Sequence, residues 1–136
     1  MANFKKVFLS HAWLNEELVL IGTENGKILV ADASEIKAEM EALHAQEPFA
    51  VHCLCTYGKG FIAAGSNGAV VMYEAADGKD MFKRVRDFTA GSEGRTVRSL
   101  ALNTTEDVLA VKLDNAQLLS VSLNQPESAK VFALFL

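Results

Sequence analysis

Phe61-Ile62-Ala63-Ala64-Gly65-Ser66-Asn67-Gly68-Ala69-Val70-Val71-Met72-Tyr73 reads as two short apolar strands, Phe61–Ala64 and Ala69–Tyr73, joined by a tight polar turn. Gly and Asn reach positive φ at little cost, which is what such a hairpin needs. The same arrangement recurs at a spacing of about 45 residues on either side. Upstream, Gly22-Thr23-Glu24-Asn25-Gly26 separates Glu17–Ile21 from Lys27–Ala31. Downstream, Lys112-Leu113-Asp114-Asn115-Ala116 separates Val108–Val111 from Gln117–Val121. Gly22, Asn25, Gly26, Gly65, Asn67, Gly68 and Asn115 are therefore the residues expected to set the turns.

Working outward, each hairpin gains strands on both sides. Val7–Trp13 precedes the first, Val51–Thr56 precedes and Lys83–Phe88 follows the second, and Val97–Leu102 and Lys130–Phe135 flank the third. Units of about 45 residues with several short strands each are the mark of β-propeller blades of the WD-repeat type. The fold class predicted is all-β: about three antiparallel blades, near 4–47, 48–91 and 92–136, forming one partial propeller. One segment departs from the β pattern. Ser34 to Gln46 places Ile36, Met40 and Leu43 at helical spacing, with Ser34 as a capping residue and Pro48 as a block, which predicts a short helix where the outer strand of the first blade belongs.

Three blades are too few to close a ring, since propellers have about four to eight. Two apolar blade faces are expected to be bare, and the apolar run Lys130 to Leu136 is expected to form an unpaired edge prone to aggregation. The chain thus reads as part of a larger assembly, completed by further blades.

With 136 residues, half of them hydrophobic, the chain is long enough to bury a core. The net charge of −4 gives no electrostatic footprint for nucleic acid. Lys79, Lys83, Arg84 and Arg86 alternate with Asp77, Asp80 and Asp87 and read as a solvated face. No signal peptide is evident and no apolar run approaches the ~20 residues of a membrane helix. Two cysteines, Cys53 and Cys55, are too few for a disulfide framework, so the redox chemistry reads as cytosolic. The linkers Ala75–Met81 and Ala90–Thr96 read as exposed, and Gly91 to Arg95 as poorly ordered.

No constellation carries catalysis. In His52-Cys53-Leu54-Cys55 a strand would turn both thiols to one side and His52 to the other, and zinc would need two further ligands. Both cysteines read as buried small apolar residues. Ser34-Glu35-Ile36-Lys37 spells S-x-x-K without the partner motifs of that chemistry. Gly65 to Gly68 leads into a strand, so it is no phosphate loop. His11 and Trp13 read as filling between blades, and Glu24, Asp77, Glu106 and Asp114 as turn residues. The expectation is a protein that is not an enzyme, with no cofactor and no metal site. The contact surfaces predicted are the segment carrying Ile36, Met40 and Leu43 and the loop carrying Lys83, Arg84 and Arg86.

Several runs resemble a known family. His11-Ala12-Trp13 with Ile21 to Lys27, Tyr57-Gly58-Lys59-Gly60-Phe61 with Met72-Tyr73-Glu74, and Val108-Leu109-Ala110-Val111 with Asn115-Ala116-Gln117-Leu118 are similar to successive blades of the cilia- and flagella-associated protein 57 family. The resemblance covers roughly Phe8 to Leu123. It implies a non-enzymatic WD-repeat scaffold of the ciliary or flagellar axoneme, within the cytoplasmic cytoskeleton, that anchors or regulates inner dynein arms. The implied partners are the remaining blades of the parent protein and dynein-arm or doublet components, with neither nucleic acid nor membrane among them. No Trp-Asp pair ends a third strand and no Gly-His pair opens a blade, so the hydrogen-bond network that stiffens many WD blades is missing and apolar packing must replace it. The alternative reading is a self-assembling, lectin-like ligand-binding module, against which Trp13 stands as the single tryptophan.

Overall fold

The strands alternate side chains between two faces, and in this chain both faces of the middle strands are apolar. That pattern requires cover on both sides. The computed structural model, which describes residues 7–78, 81–91 and 94–132, supplies it with three four-stranded antiparallel sheets packed side by side. Sheet I runs β1 (Phe8–Trp13), β2 (Val19–Thr23), β3 (Lys27–Ala31) and β4 (Ile36–Glu41). A small hairpin follows, β5 (Leu43–His44) and β6 (Glu47–Pro48). Sheet II comprises β7 (Val51–Tyr57), β8 (Gly60–Gly65), β9 (Ala69–Ala75) and β10 (Phe82–Thr89). Sheet III comprises β11 (Val97–Leu102), β12 (Val108–Leu113), β13 (Leu118–Ser122) and β14 (Gln125–Val131).

Each sheet is an up-and-down meander in chain order, and no sheet closes on itself. The first strands lie together, with β1 and β11 both packed along β7. This is a propeller-like arrangement of three blades in an open ring. The register sorts the core into two layers. Leu20, Ile28 and Val30 of sheet I meet Val51, Phe61, Ala63, Val71 and Tyr73 of sheet II. On its other face sheet II turns Cys53, Ile62, Ala64, Val70 and Met72 against Val97, Leu109, Val111, Leu119 and Val121 of sheet III. Both layers are fully or almost fully buried. At ~25 cal/mol per Å2 of apolar surface, they supply the main drive for folding.

Three expectations are corrected. The helix over Ser34 to Gln46 does not form; among the described residues there is no α-helix, and this segment is the outer strand β4 followed by the β5–β6 hairpin. Asp32 initiates it: its carboxylate accepts the amides of Ser34 and Glu35 and the Ser34 hydroxyl, which reverses the chain toward β3. Those three hydrogen bonds hold its carboxyl well below the usual carboxylate range. β4 then pairs with β3 from Lys27 opposite Glu41 to Ala31 opposite Ile36, while Ala38 and Met40 pack on the layer between sheets I and II. Local helix propensity amounts to tenths of a kcal/mol per residue, and the pairing edge of β3 outweighs it.

The second correction concerns the two end faces. The outward face of sheet III carries Ser99, Ala101, Ala110, Lys112, Ser120 and Ser122, with Val108 and Leu118 as its larger apolar members. It is therefore a largely polar, small-residue surface, while on the outward side of sheet I Leu29 and Ala31 are buried and Val19 and Ile21 half-buried. The third concerns the final strand, which spans Gln125–Val131 and pairs with β13, earlier in the chain than expected. Residues 133–136 of the apolar run, Lys79 and Asp80, and Ser92 and Glu93 of the Gly91 to Arg95 stretch lie outside the described residues.

Candidate interaction surface

The hairpin between sheets I and II is tied by side-chain hydrogen bonds to the outer strand of sheet II. Its two-residue turn, Ala45 and Gln46, has φ of 52° and 65°, the conformation of the tight hairpin turns that favour Asn and Gly. Neither residue is suited to it, and each left-handed residue costs on the order of 1 kcal/mol or more. The flanking structure over-determines the turn. Ala42 donates its amide to Gly26 and accepts from Phe49, and both Ala42 and Phe49 are buried. Replacing Ala45 by Asn and Gln46 by Gly together is expected to raise stability by about 1 kcal/mol, seen as a rise of a few degrees in the thermal midpoint.

The outer strand β10 holds this hairpin. A bulge between Arg84 and Arg86 turns Arg84, Asp87 and Thr89 toward sheet I and Arg86 and Phe88 toward sheet III. His44 Nδ1 lies 2.7 Å from the Asp87 carboxylate and Nε2 lies 2.8 Å from the Thr89 hydroxyl. The tautomer protonated on Nδ1 satisfies both, donating to Asp87 and accepting from Thr89. Arg84 donates to the Leu43 carbonyl at 3.2 Å, and the Tyr73 hydroxyl donates to the Glu41 carbonyl at 3.1 Å. On the other side Arg86 donates to the Leu123 carbonyl. The link between sheets II and III is completed by the Gly58 amide, 2.8 Å from a Glu106 carboxylate oxygen. Ser10 donates to the Val51 carbonyl at 2.7 Å and joins β1 to β7. These bonds cross between sheets, so polar links supplement the apolar packing.

The residues expected to form contact surfaces are placed as follows. Ile36 and Met40 fall on opposite faces of β4: Ile36 exposed on the outward side of sheet I, Met40 packed toward sheet II. Leu43 and Arg84 come together at the hairpin. Lys83 is exposed on β10, and Arg86 belongs to the seam with sheet III. The seven turn residues divide in two groups. Gly26, Asn67 and Gly68 adopt positive φ, and Asn25 and Asn115 bond within their turns through their side chains, Asn25 accepting from Thr23 and Asn115 from the Gln117 amide. Gly22 and Gly65 instead sit at strand ends, where neighbouring chain lies against them.

Among the described residues no group of three or more His, Cys, Asp or Glu side chains is arranged to hold a metal ion. Cys53 and Cys55 are free and lie on the side of β7 facing sheet III. Burial pushes the Cys53 thiol up to about 12 and raises that of Cys55, which keeps both as thiols near neutral pH. Tyr57 and Tyr73 are both pushed up to about 12, mainly by burial. His44 and Asp87, 43 positions apart, carry no local sequence signal for their pairing. The alternation of Arg84, Arg86, Asp87, Phe88 and Thr89 is the one visible hint that β10 serves two neighbours.

No protein-family model matches the chain. Over 144 aligned residues, 95% of the chain, it is 32% identical to "Cilia- and flagella-associated protein 57 A" of Tetrahymena thermophila. This chain is homologous to part of cilia- and flagella-associated protein 57. The mouse protein of that name is 21% identical over 174 aligned residues, 90% of the chain. The chain spans only 11% of the Tetrahymena relative and 14% of the mouse one. The similarity therefore concerns one short segment of much longer proteins. Among the described residues no helix is long and apolar enough to cross a membrane.

Proposed function

We propose that this chain is a non-enzymatic WD-repeat-like scaffold segment of the cilium or flagellum, acting by protein–protein contacts within the axonemal cytoskeleton. The observation that carries this reading is the 32% identity over 95% of the chain to a relative whose name places it in cilia and flagella. The function proposed is positioning. Sheets locked to one another by His44, Arg84 and Arg86 hold the outer strands and loops in fixed relation, and those outer surfaces contact dynein-arm or doublet components, inner dynein arms foremost. Rigidity suits that work, since a preorganised surface loses little conformational entropy on binding.

The test is expression of an epitope-tagged chain in a flagellated cell, followed by detergent extraction of isolated flagella and crosslinking. The expected result is retention with the axonemes and crosslinks to inner dynein-arm or doublet proteins. Exclusion from the flagellum, or full release with the detergent-soluble matrix, would overturn the proposal.

A further inference from the structure

The β5–β6 hairpin and the turn Ser66–Gly68 between β8 and β9 border one cleft of about 560 Å3. Both are strained. Ala45, Gln46 and Asn67 have φ of 52°, 65° and 59°, three of the five positive-φ residues other than glycine among the described residues. Strain of this kind persists only where the surroundings over-determine it, and it collects at ligand clamps. Ala50 fixes the two turns relative to one another: its amide donates to the Ser66 hydroxyl at 2.9 Å, and its carbonyl accepts the Ser66 amide at 3.2 Å. The cleft is therefore preformed, which lowers the entropic cost of filling it.

Its lining sorts by chemistry. His44 and Thr89 bond to each other at 2.8 Å, and His44 also bonds to Asp87, so that wall is satisfied. Phe49 and Ala69 are buried and form the base, with Ala45 and Pro48 as exposed apolar walls. Two polar side chains remain, Glu47 and Asn67. Both are exposed, and among the described residues neither has a hydrogen-bond or ion-pair partner for its side chain. No lysine or arginine among the described residues lines the cleft, so Glu47 carries its one fixed charge.

We propose that this cleft receives a lysine side chain presented by a partner protein, with the ammonium on the Glu47 carboxylate and the Asn67 carboxamide oxygen. An anion would meet Glu47 with no cation to offset it. A wholly apolar group would strip water from the carboxylate and put nothing in its place. A lysine answers both demands: its methylenes lie along Ala45, Pro48 and Phe49, and its ammonium turns three donors toward acceptors on two different side chains. The proposal needs only the cleft and does not rest on the ciliary reading.

NMR amide correlation spectra of the 15N-labelled chain test it, with Nα-acetyl-lysine N-methylamide as the probe and its norleucine counterpart as the uncharged control. Shifts are expected at Ala45, Glu47 and Asn67, including the Asn67 side-chain amide, saturating with a dissociation constant of about 1–10 mM. The norleucine compound is expected to shift none of them. Glu47→Gln, at an exposed position, is expected to weaken binding at least about fivefold with unchanged circular dichroism, while Glu127→Gln on β14 leaves it within about twofold. No response up to about 50 mM would overturn the proposal. An equal response to norleucine, tighter binding of the arginine counterpart, or binding indifferent to Glu47→Gln would overturn it as well.

Discussion

Phe61→Ala is expected to destabilise the protein by about 3–5 kcal/mol, the largest loss for a single side chain here. Phe61 is fully buried in the layer between sheets I and II. Its ring stacks on Tyr73, with centroids 4.7 Å apart and planes 14° from parallel, and meets the Phe82 ring edge-on at 5.0 Å. Truncation removes both contacts and leaves a cavity. That cavity cannot close by collapse, because Phe61 projects from β8, an interior strand paired on both sides by β7 and β9. Domains of this size are stable by only about 5–15 kcal/mol, so the variant is expected to lose a large share of its margin. Urea unfolding followed by circular dichroism checks it. Phe61→Leu should recover most of the loss, and Val131→Ala, at an exposed position of β14, should change stability by less than about 0.5 kcal/mol.

Gly65→Ala is expected to cost about 3 kcal/mol, for a reason unrelated to backbone freedom. Gly65 has φ of 177°, an extended conformation open to any residue. A β-carbon there would lie 1.7 Å from the carbonyl oxygen of Ala50. That oxygen cannot step aside, because it accepts the Ser66 amide at 3.2 Å while the Ala50 amide donates to the Ser66 hydroxyl at 2.9 Å. Gly78 supplies the contrast. Its φ is +96° but nothing lies within 4 Å of a β-carbon built there, so Gly78→Ala should cost only about 1–2 kcal/mol. If the two variants lose the same stability, crowding at Gly65 is not the cause of its loss.

The comparison of Gly65 with Gly68 shows how far sequence reading carried. Both belong to one polar turn, and the turn itself was legible because only a reversal explains Gly-Ser-Asn-Gly between two apolar runs. The separate tasks were not legible. Gly68 takes positive φ, whereas Gly65 makes room for a carbonyl from a strand whose approach depends on sheet packing. The segment after Ser34 misled for a related reason. Ile36, Met40 and Leu43 fit a helix, while Ala38, Met40 and Ala42 fit a strand, and both periods are present in the same residues. The free edge of β3 chose between them. The candidate surface was the least legible part. Its anchors, His44 with Asp87 and Thr89, Arg84 with Leu43, and Arg86 with Leu123, join residues about 40 apart, and no local pattern encodes such pairs.

What the sequence determined by itself was the repeat: short apolar strands, polar turns about 45 residues apart and the all-β class. These follow from periodicity and turn chemistry, which act between near neighbours in the chain. Tertiary structure alone decided which face of each strand is covered, which glycines are crowded, and how β10 divides its side chains between two sheets. It also decided that one end of the stack is apolar and the other polar. Both ends are written in residues of similar overall composition, and only the pairing register assigns Val19 and Ile21 to one outward face and Lys112 and Ser120 to the other.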